Sequence, residues 1–179
     1  MRGLLLLAGA VFATGCFGSV SRDIAPLPGI SLSPEVCPDL SGVYDNAARR
    51  SVPPEEAPSH LAAYFAAVDD PAAFQRVTVS RAAPGELAFA LAAADREPVR
   101  IVLREGTDYS CDGRSWLLDR GAQVRRRDAG AIRLGRTEDG CLVAQTRWRE
   151  GVYFLLALPS DEISTRWRVY CPPDEEWEP

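Results

Sequence analysis

The chain has 179 residues, with 25 acidic against 20 basic side chains and a formal net charge of −5. All of those basic residues are arginine, and the lack of lysine excludes Schiff-base chemistry, Ser–Lys dyads and the phosphate-binding Walker loop. The acidic balance argues against nucleic acid as a partner, while the length and apolar content suit one domain with a real core.

Arg2 gives the chain a positive start, Leu4 to Phe12 form a short apolar run, and Ala13–Thr14–Gly15 place small residues directly before Cys16. That order is the pattern of a secretory signal. The run is well short of the roughly 20 residues that a membrane span needs. Residues 1–16 resemble the signal and lipobox of bacterial lipoproteins, with Ala13 where Leu, Val or Ile is usual. The resemblance implies a signal peptide over 1–15 and a diacylglycerol on the Cys16 thiol, with further acylation (palmitate or a similar chain) on the new amine. Each buried methylene adds about 0.8 kcal/mol, so two or three chains hold firmly where one does not. Phe17, rather than Asp, follows the cysteine. In the Gram-negative family this points to the outer membrane. The expected location is the cell envelope, lipid-anchored and facing the periplasm.

Residues 16–36 read as the lipidated cysteine and a flexible Ser/Pro/Gly-rich tether, and 37–179 as a single β-rich domain. The opening Cys37–Pro38–Asp39–Leu40–Ser41–Gly42–Val43–Tyr44 is similar to the start of the folded part in small uncharacterised envelope lipoproteins. Its Gly-x-Tyr is also similar to a lipocalin opening. Residues 48–59 are proline-rich loop. Ser59 is placed to cap a helix from His60 to Val68, with Leu61, Tyr64, Phe65 and Val68 on one stripe and Asp69–Asp70–Pro71 as the stop.

From residue 75 the period becomes two. Val77 and Val79, then Leu87, Phe89 and Leu91, then Val99, Ile101 and Leu103 alternate with small or polar residues. Pro84–Gly85, Asp112–Gly113 and Asp139–Gly140 mark turns. Further strands are predicted near 114–120, 122–127, 131–137, 141–149, 152–158 and 163–171. About nine to eleven short strands at this spacing make a mainly β fold, an antiparallel barrel or sandwich, with one short helix near 60–68.

Setting Cys16 apart leaves Cys37, Cys111, Cys141 and Cys171, an even number that reads as two disulfides in an exported protein. A closed sheet would favour Cys37–Cys171, but counting hairpins weakens that choice and the pairing stays open.

Thr146–Arg147–Trp148–Arg149 recurs as Thr165–Arg166–Trp167–Arg168. Strand alternation would turn each Trp to the core and gather Arg147, Arg149, Arg166 and Arg168 on one outer face. Guanidinium forks bind phosphate and carboxylate, so this is the candidate anion-binding face, for anionic lipid or an acidic envelope protein. The alternative is a solvated face neutralised by Glu150, Asp161 and Glu162. Arg125–Arg126–Arg127 reads as a hairpin rim. His60, the single histidine, cannot build a multi-histidine metal site, and no Gly-x-Ser-x-Gly elbow accompanies it. Asp108, Asp112, Asp119 and Glu150 are available for carboxylate chemistry, but sequence does not bring them together. The acidic end, Asp174–Glu175–Glu176–Trp177–Glu178, reads as a solvated tail, a ligand for a basic partner, or a cover for the protein's own basic face. No cofactor or metal is expected. The leading expectation is a non-enzymatic binding or assembly lipoprotein. Behind it stand a lipocalin-like carrier of a small apolar ligand and a carboxylate-based hydrolase of envelope glycans.

Overall fold

The structure is a computed structural model that describes residues 32–52, 54, 59–111, 115–118, 132–152 and 160–173, with backbone alone for 147–152 and 160–164. Two antiparallel sheets form it. Strands β1 (Gly42–Asp45), β3 (Arg76–Ala83), β4 (Glu86–Ala92) and β5 (Val99–Arg104) make a four-stranded sheet in the order β1-β3-β4-β5. The other six are β2 (Arg50–Val52), β6 (Tyr109–Cys111), β7 (Trp116–Leu118), β8 (Ile132–Arg136), β9 (Leu142–Val152) and β10 (Ser160–Tyr170), ordered β2-β10-β9-β8-β7-β6. The mainly β, antiparallel class is as predicted, and of the two alternatives the pair of sheets fits a sandwich, with no closed barrel among the described residues.

Alternation decides which face of the four-stranded sheet is buried. Val77, Val79, Leu87, Phe89, Leu91, Ile101 and Leu103 all point inward, the face that the period-two pattern assigned to them. Gly85 and Gly140 take positive φ at the β3–β4 and β8–β9 turns, where a side chain would be strained. From the opposite sheet, Tyr109, Trp116, Leu118, Leu134, Leu142 and Tyr170 complete one continuous core.

One run of chain joins the sheets. β1 pairs with β3, and β2, four residues further on, pairs with β10. At the crossover the Asp45 N–H donates to the Cys171 carbonyl and the Arg49 N–H to that of Val169. Between them Asn46 is fully buried. Its Nδ2 donates to the carbonyls of Pro71 and Phe74, both at 2.7 Å, and its Oδ1 accepts from the Ala62 N–H at 2.9 Å.

That bonding alters the predicted helix over 60–68. Instead of an α-helix there is a single 3-10 turn, Leu61–Tyr64, and a second at Pro71–Ala73. Ser59 is not the cap; His60 holds that position without a side-chain bond, and the first-turn donor Ala62 N–H goes to Asn46. The apolar stripe is nevertheless as read, since Leu61, Tyr64, Phe65 and Val68 are all buried, with the Phe65 and Phe89 rings 4.7 Å apart.

Residues 141–171 also differ from expectation. β9 and β10 pair directly along their whole length, from Tyr170 opposite Leu142 to Ser160 opposite Val152. The predicted strand at 152–158 is therefore not interposed; residues 153–159 connect β9 to β10 and lie outside the described residues. The strand predicted at 122–127 and Arg125–Arg127 lie outside them too.

The fold takes in residues before Cys37. The Ser33 N–H donates to the Arg136 carbonyl and Leu32 bridges Thr137, so part of the expected tether belongs to the fold. Residues 33–41 then cross one end of the sandwich. Cys37 is disulfide-bonded to Cys111, the Trp116 indole donates to the Pro38 carbonyl at 2.7 Å, and Arg136 donates to the Asp39 carbonyl at 2.9 Å. Tyr44 lies back over Gly42 and donates to Leu40, a path that a side chain at 42 would obstruct. The other disulfide, Cys141–Cys171, ties the base of β9 to that of β10. The sequence separations are 74 and 30 residues. In the chain-entropy view, closing them contributes about 4.5 and about 3.7 kcal/mol respectively.

Asn46→Ala strands one buried N–H and two buried carbonyls and is expected to cost about 3 kcal/mol or more. Asn46→Asp keeps the acceptor but aims a carboxylate at two carbonyls, which raises its folded-state pKa above the unfolded value. Its protonated form then favours folding, so its stability is greatest below about pH 4 and falls as pH rises through the raised folded value. Urea unfolding of both variants at pH 3.5 and 7 checks this. A midpoint for Asn46→Asp that does not depend on pH beyond the wild-type trend contradicts it.

Candidate functional site

The four candidate arginines do not share a face. In the β9–β10 register Arg166 lies opposite Thr146, Arg168 opposite Ala144, Arg147 opposite Thr165 and Arg149 opposite Ile163. Ala144, Leu142 and Tyr170 belong to the main core, so the positions of Arg166 and Arg168 are on the inner face. Positions 147 and 149 have the opposite parity and fall on the outer face; their side chains lie outside the described set. Nor does Trp167 enter the main core. It joins a second apolar cluster on the outer face with Cys141, Val143 and Val169, flanked by Leu32, Val52 and Cys171. The physical reason is register: the two Thr-Arg-Trp-Arg repeats pair out of phase by an odd number of residues, and each odd step reverses the face.

Arg168 is 6% exposed and its Nη1 donates to the Tyr64 hydroxyl at 3.2 Å. Tyr64 is delivered by the Leu61–Tyr64 turn, which Asn46 pins from the other side. The Tyr170 hydroxyl is fully buried beside those of Tyr64 and Ser59, without a hydrogen bond of good geometry to either. Burial, followed by the neighbouring Tyr64, pushes its pKa well above the usual tyrosine value. Arg166 is half-buried one step along β10, across from Thr146. Arg166, Arg168, Tyr64, Tyr170 and Ser59 thus form a polar cluster at the edge of an apolar core.

Chemically the cluster offers permanent cations and neutral hydroxyls. Guanidinium stays charged at any accessible pH, and a tyrosine held protonated donates rather than abstracts. Such a set suits recognition of anions or carbonyl oxygens. Elsewhere, the Asp108 carboxylate accepts the Arg104 N–H at 2.9 Å and closes the β5–β6 turn. Asp112 and Asp119 lie outside the described residues, and Glu150 stands opposite Glu162 in backbone register. His60 bridges Ala47 at the start of its turn. Among the described residues, no three His, Cys, Asp or Glu side chains gather as a metal site.

Sequence reasoning missed the inward arginines and the outer-face pair of Gln145 and Arg133, which stand opposite one another on β9 and β8, both buried. The Gln145 carboxamide finds no hydrogen-bond partner among the described residues. No signal short of the strand register identifies either pair. No family model, curated protein or solved structure matches the chain.

The Tyr170 shift has a direct consequence for stability. The folded state keeps the phenolic proton that the unfolded chain releases near pH 10.0. The stabilisation is complete below that pH and is lost as pH rises from there through the raised folded value. Tyr170→Phe removes the ionisable group, so between pH 9 and 11 its urea midpoint should fall less than that of the wild type. Equal losses would contradict the assignment.

Proposed function

We propose that the chain is a lipid-anchored envelope lipoprotein with a non-enzymatic binding or assembly role. The observation that carries the reading is the pairing of the cysteines. Cys37 with Cys111 and Cys141 with Cys171 account for all four domain cysteines, and disulfides of this kind belong to oxidising compartments. Cys16, at the end of the signal-like segment, is left over as the lipid-bearing residue. Arg166, Arg168 and the tyrosines beside them supply donors for an anionic group, the class of contact that binding at an envelope surface uses.

The strand order favours a second reading, a lipocalin-like carrier. Strands β6 to β10 neighbour one another in chain order, β3 to β5 do likewise, and the β1–β2 run joins β3 to β10. The described strands form two sheets rather than a closed barrel, but an up-and-down barrel uses the same succession, and that is what supports this reading. A carrier purified from envelopes would bring a stoichiometric apolar ligand into an organic extract; a scaffold or assembly factor would not.

Mass spectrometry and fractionation test the anchor. The wild type should sediment with membranes and yield an acylated N-terminal peptide beginning at Cys16. Cys16→Ala should move the protein to the soluble periplasmic fraction. A variant still held in the membrane would remove acylation as the tether.

A further inference from the structure

The two disulfides sit in unlike surroundings. Cys141 is buried, its N–H donates to the Thr137 hydroxyl at 2.8 Å, and the Cys171 carbonyl accepts from the Asp45 N–H. Reducing that bond would leave β9 and β10 paired as before, along eleven residues each. Cys111, by contrast, is exposed. It ends β6, a strand of three residues that stands last in its sheet. Its partner Cys37 lies on the strap of residues 33–41, which has no ladder to replace a lost covalent tie.

Cys37 also carries backbone strain. Among the described residues it is the one non-glycine residue with positive φ, at 46°. A side chain crowds the backbone in that region, so the conformation persists where something holds it. The bond to Cys111 is the covalent hold. Next to it the Pro38 carbonyl accepts from the Trp116 indole, and the Asp39 carbonyl accepts from Arg136. Leu40 enters the main core from the strap and Cys37 packs against it. At the same end the Tyr109 and Trp116 rings meet edge to face, 5.3 Å apart.

We propose that Cys37–Cys111 is a reducible latch, which a dithiol reductant opens to free the strap while Cys141–Cys171 stays closed. A thiolate of the reductant attacks the Cys111 sulfur and forms a mixed disulfide, and the Cys37 sulfur leaves as a thiolate that takes up a proton. The reductant's second thiolate then attacks its own sulfur in the mixed disulfide. That step closes the reductant's disulfide and releases Cys111, which takes up the other proton. Two electrons have passed from the dithiol to the protein. Cys37 then leaves the positive-φ region, and the strap lifts from the Tyr109–Trp116 end of the core. The latch depends on neither the lipid anchor nor the arginine cluster.

The test treats the folded full chain with dithiothreitol, quenches with N-ethylmaleimide and maps the modified cysteines by mass spectrometry. Cys37 and Cys111 should be modified first, with Cys141–Cys171 intact. In NMR spectra of that species the Trp116 indole proton should move upfield as its bond to Pro38 is lost, with Phe89 and Leu91 unmoved, and reoxidation should restore it. Cys37→Ser with Cys111→Ser should show the reduced spectrum without reductant; the wild-type measurement decides the matter whether or not that variant folds. Reduction of both disulfides together, or of Cys141–Cys171 first, would overturn the proposal. So would unfolding of the chain once Cys37–Cys111 is open. Selective reduction that leaves the Trp116 and Leu40 signals in place would overturn it as well, because the bond would then release nothing.

Discussion

The arrangement depends on one buried carboxamide. The run from Gly42 to Val52 must leave one sheet and enter the other, and a chain that changes partners exposes backbone groups at the change. Asn46 sits at that point and meets the demand with all its polar groups. Its N–H donates to Gln75, its carbonyl accepts from Leu61, and its side chain bonds Ala62, Pro71 and Phe74. A buried polar group without partners costs roughly 1–3 kcal/mol. Asparagine is fitted to this place because it carries two donors and an acceptor at the end of a short stem. The residue thereby ties the β1–β2 run to β3 through Gln75, and to the two turns that cover the core.

The two disulfides act at the places the sheet hydrogen bonds leave open. Cys37–Cys111 fixes residues 33–41 across one end of the sandwich, where the chain has no ladder of its own. Cys141–Cys171 closes the base of the β9–β10 pair, just where Cys171 also accepts from Asp45. The first bond limits the mobility of a strap. The second stiffens the point at which both sheets and the C-terminal exit meet.

How much of this was legible in the sequence follows from how local each signal is. Alternation in β3, β4 and β5 is local, and Val77, Phe89 and Ile101 are buried as that pattern requires. Turn chemistry is local as well, and Gly85 and Gly140 take the conformations that their neighbours announced. The helix was half legible: the inward stripe is real, but the first-turn N–H groups of Leu61 and Ala62 bond to Asn46, a long-range contact that spacing alone does not announce. Strand partners are not local at all. The run from Val152 to Leu158 is apolar enough for a strand, and only the direct pairing of β9 with β10 shows that no strand stands between them. The same pairing sends Arg168 inward, although Arg147 stands in an identical tetrapeptide.

An inward arginine beside a core carries its own constraint. Its charge cannot be shed, so whatever holds it must remain in place for the fold to tolerate it. For Arg168 that includes the Tyr64 hydroxyl, and Tyr64 is carried by the turn that Asn46 fixes through Ala62. The stability of the crossover and the solvation of the candidate site are therefore coupled.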